Sequence, residues 1–133
     1  TEYTLSGLKI LHGRSIRSGE FSFQLYEGDN LLQTVTNQAN GRFAFDAISY
    51  DMPGTYTYTV REVQGNAPGV GYDGVNHPIT VTVTVTDTGA VLSASADVKN
   101  GDIRFENTYT AAEAEVAFTG IKKSRLPAGF LCI

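Results

Sequence analysis

Lys9, Glu62 and Asn107 each stand where the alternation of a β-strand calls for an apolar side chain, and between them they offer an amine, a carboxyl and an amide. Successive side chains on a strand face opposite sides, so residues two apart share a face. In TYTYTVREV, Tyr56, Tyr58, Val60 and Glu62 lie opposite Thr55, Thr57, Thr59 and Arg61, which turns Glu62 inward. In DIRFENTYT, Ile103, Phe105, Asn107 and Tyr109 alternate with Asp102, Arg104, Glu106 and Thr108, which does the same for Asn107. In TEYTLSGLKIL, Tyr3, Leu5, Lys9 and Leu11 share a face with Gly7; Leu8 and Ile10 make the opposite face apolar too, so the separation is less sharp. Lys9 is expected to point inward with the other two.

Taken singly, such a residue is most simply a buried ion-pair member, or a lysine whose stem is covered and whose head reaches the rim. An ion pair in a core adds little net stability, because two desolvation costs offset the attraction. A reaction that consumes the charges removes that objection. Burial lowers a lysine pKa and raises a carboxyl pKa, so proton transfer from Lys9 to Glu62 would leave a neutral, nucleophilic amine. That amine can attack the side-chain amide carbon of Asn107, while protonated Glu62 polarises the carbonyl and hands a proton to the departing ammonia. Packing in a dry core holds the reactants together. The product would be a Lys9–Asn107 amide cross-link with Glu62 as its catalytic residue. It would close a loop of about 100 residues, worth about 4 to 5 kcal/mol by analogy with disulfides.

The elements that must position these groups are strands. Candidates run over residues 2–11, 20–26, 31–36, 42–46, 55–64, 79–87, 90–98 and 102–110, and no stretch carries a persuasive helical period. Phe21, Phe23 and Leu25 face one way, Phe43 and Phe45 form a second inward pair, and Ile79, Val81, Val83 and Val85 alternate with threonines. Asn40-Gly41, Pro53-Gly54, Asp87-Thr88-Gly89 and Asn100-Gly101 supply turns. The expected fold is all-β, an Ig-like two-sheet β-sandwich of about 7 to 9 strands with its first and last strands adjacent.

Composition narrows the function. A chain of 133 residues, 41% hydrophobic and 18% charged, is suited to one domain with a core rather than to disorder. A net charge of -4 with scattered Lys and Arg gives no footprint for nucleic acid or an anionic membrane surface. No apolar run is long enough for a membrane helix, and the start lacks a signal-peptide layout, so the chain reads as a soluble piece of something larger. Cys132 is the single cysteine, which rules out an internal disulfide. His12 and His77 are the only histidines, and neither is near a recognisable nucleophile motif, which makes a hydrolase the least favoured class. Asp46, Asp51 and Asp73 lack calcium-loop order; no metal and no cofactor are expected.

The longest non-periodic stretch, residues 64–77, reads as an exposed functional loop, and Tyr72, Asp73 and Asn76 on it suit a glycan or protein ligand. Gly69 to Gly74 spells G-x-G-x-x-G, but no helix follows to receive a pyrophosphate. Further on, Phe118-Thr119-Gly120-Ile121-Lys122 restates Leu5-Ser6-Gly7-Leu8-Lys9. Residues 1–111 are therefore expected to be one sandwich repeat, and 112–133 a linker and the truncated start of another.

Four segments carry a resemblance: Lys9-Ile10-Leu11-His12-Gly13-Arg14, Gly19-Glu20-Phe21-Ser22-Phe23-Gln24-Leu25, Tyr56-Thr57-Tyr58-Thr59-Val60-Arg61-Glu62, and Phe105-Glu106-Asn107-Thr108-Tyr109. Over about residues 3 to 110 the chain resembles the isopeptide-linkage domains of Gram-positive pilins and surface fibrils, whose sandwiches are related to the B-type domain of collagen adhesins. The resemblance implies that Lys9 bonds to Asn107 with help from Glu62. It also implies a structural stalk or pilin-type repeat, extracellular and cell-surface or cell-wall attached, that performs no turnover beyond its own single reaction. The expected partners are neighbouring repeats of the same protein and, through other domains, a host-surface glycan or protein; no nucleic acid and no membrane insertion are expected. The alternative is a ligand-binding adhesin module using the 64–77 loop. Leu126-Pro127-Ala128-Gly129 is similar to a sorting signal but lacks its threonine and reads as coincidence.

Overall fold

The computed structural model describes residues 1–112, so the expected second copy of the motif, with Lys122, lies outside the described residues. The strands are β1 (Glu2–Tyr3), β2 (Ser6–His12), β3 (Ser22–Glu27), β4 (Asn30–Thr36), β5 (Arg42–Ala44), β6 (Ile48–Ser49), β7 (Gly54–Glu62), β8 (Val70–Gly71), β9 (Ile79–Asp87), β10 (Leu92–Ala96) and β11 (Arg104–Tyr109). Two single 3-10 turns, Asp73–Asn76 and Asn100–Asp102, complete the regular structure of the described residues. One sheet has the order β10-β9-β7-β3-β4, the other β5-β2-β11-β8, and β1 pairs with β6 as a separate ribbon.

The two larger sheets form the sandwich because each buries one face. Val81, Val83 and Val85 of β9 and Tyr58 and Val60 of β7 are buried while the threonines between them are more open, as period-two alternation requires. Aromatic rings join the layers: Phe23 of β3 stacks on Phe43 of β5 at 3.9 Å between centroids, and Phe105 of β11 packs against both. Near the far end Tyr50 and Tyr58 bury their hydroxyls against each other at 2.7 Å. This mutual hydrogen bond satisfies two polar groups that the core would otherwise strand.

The last described strand, β11, pairs with β2, and the pairing is parallel. Every other pairing among the described residues is antiparallel. A parallel neighbour needs a long crossover connection, and here almost the whole domain serves as that crossover.

The sequence suggested one strand over 2–11; the structure breaks it after Tyr3. Asn100 causes the break, since its side chain accepts from Ser6 N (3.2 Å) and donates to Thr4 O (3.0 Å) in place of ladder bonds. β1 then pairs with β6, and β2 with β5 and β11. The residue parity survives the break, because Leu5, Gly7 and Lys9 are all buried.

Candidate cross-linking site

Lys9 and Asn107 come from neighbouring strands of one sheet, and Glu62 from the end of β7 in the other. Lys9 sits opposite Phe105 and Asn107 opposite Leu11, so Lys9 and Asn107 are diagonal neighbours on the inner face. The two side chains meet through the Glu62 carboxylate, which reaches both from the other sheet. The chain is held close here by the Asn40-Gly41 turn: Gly41 O accepts from Lys9 N at 2.7 Å, and Gly41 takes φ of 88°. A Cβ on Gly41 would collide with the Lys9 carbonyl oxygen, so this approach requires glycine.

All three side chains are shut away from solvent: Lys9, Glu62 and Asn107 retain 2%, 3% and 1% exposure. Lys9 Nζ donates to Glu62 Oε1 at 2.7 Å, and Asn107 Nδ2 donates to Glu62 Oε2 at 2.6 Å. The carboxylate therefore bridges amine and amide with one oxygen each. Phe21 closes the cluster, its ring centroid 4.7 Å from Nζ. Desolvation pushes the Lys9 ammonium below the ordinary lysine range, and attraction to Glu62 works in the opposite direction.

The fourth partner is one that strand counting does not reach. Gly74, buried in the turn Asp73–Asn76, donates its backbone N–H to Asn107 Oδ1 at 2.9 Å. The network fixes the amide's orientation, since turning it over would set Nδ2 against the Gly74 N–H and Oδ1 against the carboxylate. The Asn107 carbonyl oxygen is thus held by Gly74, whereas the sequence reading gave its polarisation to Glu62. Gly74 lies in the non-periodic stretch, where no side-chain alternation exists to signal it.

That stretch is exposed at most of its positions, as the sequence suggested, but it also carries regular structure. Val70–Gly71 extends the sheet beside β11, and Tyr72 turns inward. The Tyr72 ring packs edge-on against Phe21 at 5.9 Å, and its hydroxyl accepts from Ala67 N at 3.1 Å. Asp73 and Asn76 remain exposed. The histidines stay apart from the buried cluster: His12 contacts Glu106 at the surface, 2.8 Å between Nε2 and Oε1, and His77 is exposed.

Fold and site together define a class, a two-sheet sandwich that clamps a buried lysine, glutamate and asparagine between its layers. The chain belongs to the family described as FctA, Spy0128-like isopeptide containing domain, which it matches over residues 5–110. This is a family of pilin-type structural domains, not of enzymes. Among solved structures, the major pilin of Streptococcus pyogenes aligns at 19% identity with a TM-score of 0.49, covering 81% of this chain and 50% of that one. A point mutant of the same pilin aligns at 17% identity and a TM-score of 0.47, with the same coverage. The chain thus spans about half the length of these pilins. No curated protein sequence matches it.

Proposed function

We propose that this domain is a structural repeat of a Gram-positive cell-surface fibre, a pilus shaft or adhesin stalk, locked by a Lys9–Asn107 isopeptide bond that it forms itself with Glu62 as proton carrier. The observation that carries the reading is the Glu62 carboxylate, hydrogen-bonded to the Lys9 amine on one oxygen and to the Asn107 amide on the other, in a site closed to water. Such a bridge places a base beside the nucleophile and an acid beside the leaving group. Glu62 takes a proton from Lys9 Nζ, and the freed amine attacks Asn107 Cγ. The Cγ–Nδ2 bond then breaks as Nδ2 gains a proton and leaves as ammonia. Of the three hydrogens on the Lys9 ammonium, one stays in the new amide, one departs on ammonia and one remains on Glu62, so hydrogens and charge balance.

The parallel pairing of β2 with β11 gives the bond a mechanical use. Tension entering before β2 and leaving after β11 pulls these neighbours in opposite senses along their length. A covalent bond from residue 9 to residue 107 would carry that tension past every strand between them. Residues 1–111 form one such module in this reading, and the segment from 112 onward begins another around Lys122.

Intact mass tests the reading. The wild-type chain is expected to be lighter than its sequence by one ammonia, with a branched Lys9–Asn107 peptide after digestion, and Asn107→Ala is expected to show its full calculated mass. A wild-type protein at full mass after folding would sink the proposal.

A further inference from the structure

The cross-linking reaction places negative charge on Asn107 Oδ1 when the amine adds to Cγ, and both oxygens of Glu62 are already committed to nitrogens. On the cross-linking reading above, we propose that the Gly74 backbone N–H is the oxyanion donor of that reaction, and that glycine at position 74 leaves the Glu62 carboxylate the room its bridge between amine and amide needs.

Three observations carry this. The donor is in place, 2.9 Å from Oδ1, within the range found for groups that stabilise a developing oxyanion. Gly74 is itself buried, so the bond acts in a low-dielectric site where a fixed dipole is worth more than in water. Finally, a Cβ at position 74 would overlap Glu62 Oε1 and stand 3.2 Å from both Asn107 Oδ1 and Phe105 Cβ. Even alanine would displace the carboxylate that links amine and amide. The labour divides by element: Glu62 moves protons among the nitrogens, and Gly74 holds the oxygen. The C–O π pair moves onto Oδ1 as Nζ adds, rests against the Gly74 N–H, and returns as Nδ2 leaves.

The test removes the N–H without adding atoms. The full 133-residue chain is assembled with glycolic acid in place of Gly74, so that an ester oxygen replaces the amide N–H. An all-amide chain made by the same route is the control. Both are refolded from denaturant and followed by intact mass. The ester chain is expected to lose ammonia about 10²- to 10³-fold more slowly than the control, as when one oxyanion donor is deleted elsewhere. Equal rates would overturn the assignment to Gly74 while leaving the cross-link intact. A control that never loses ammonia would instead overturn the cross-linking reading itself.

A second measurement stands if the ester chain does not fold. In Lys9→Met, which cannot react, NMR is expected to show a through-hydrogen-bond coupling between the Gly74 amide nitrogen and Asn107 Cγ, and slow exchange of the Gly74 amide proton. A fast-exchanging Gly74 amide without that coupling would refute the donor.

Discussion

Replacing Glu62 by glutamine keeps the side chain's size but removes its ability to shuttle a proton, and the network around it sets the expected cost. Glu62 accepts on both oxygens, from Lys9 Nζ at 2.7 Å and Asn107 Nδ2 at 2.6 Å. Glutamine offers one acceptor and one donor group. If its amide nitrogen faces Lys9, two donors meet. If it faces Asn107, that amide must turn over, and its Nδ2 then meets the Gly74 N–H. While Lys9 remains an ammonium, every arrangement thus leaves a buried donor without an acceptor, at about 1 to 3 kcal/mol. On the proposed function, the absence of a cross-link that closes a loop of about 100 residues would remove about 4 to 5 kcal/mol more. The sum is roughly 5 to 8 kcal/mol, comparable with the whole stability of many domains. At about 4 °C per kcal/mol, Tm is expected to fall by roughly 20 to 30 °C. Intact mass reports whether ammonia has left, and urea unfolding with calorimetry reports the stability. A Glu62→Gln protein that loses ammonia at the wild-type rate, or unfolds within about 1 kcal/mol of wild type, refutes this reasoning.

Two further outcomes are expected. Lys9 has its folded pKa below the ordinary value of 10.5 because burial disfavours the ammonium. In the unreacted Asn107→Ala chain the unfolded state therefore binds more protons between the folded pKa and 10.5, and stability should rise with pH across that window. Measured by urea unfolding against the Lys9→Met, Asn107→Ala double variant, the difference should grow towards alkaline pH; a flat difference would contradict the shift. The second concerns Asn37, 2% exposed, which accepts from Phe21 N at 2.8 Å and donates to Arg17 O at 2.9 Å and Gln38 O at 2.8 Å. Asn37→Ala should cost about 2 to 3 kcal/mol by stranding the Phe21 N–H and its carbonyl partners. Because Phe21 also covers Lys9, ammonia loss on refolding should slow as well; unchanged stability would show that water replaces the side chain.

How much of this was legible in the sequence depended on whether a residue's role follows from strand parity. Glu62 and Asn107 were placed inward by neighbours two positions away, and the structure buries both. Lys9 had weaker support because Leu8 and Ile10 blur the alternation; the inner face is nonetheless the one carrying Leu5 and Lys9. Asn37 gave no such signal. It follows the end of β4, where alternation stops, and its value lies in three backbone groups, two of them, on Arg17 and Phe21, drawn from another segment.

Gly74 marks the same boundary from the side of the site. Its contribution is a backbone N–H and a missing Cβ, neither of which has a periodicity, and its partner Asn107 lies 33 residues further along the chain. Strand alternation in the chain was enough to establish the all-β class, the inward set of Lys9, Glu62 and Asn107 and, through their functional groups, the chemistry open to them. The folded arrangement was needed to show that β2 and β11 run parallel, that Glu62 contacts both nitrogens, and that Gly74 donates to the oxygen. Parity assigns a side chain to a face; which groups then meet across that face depends on register and loop closure, set by packing between segments distant in sequence.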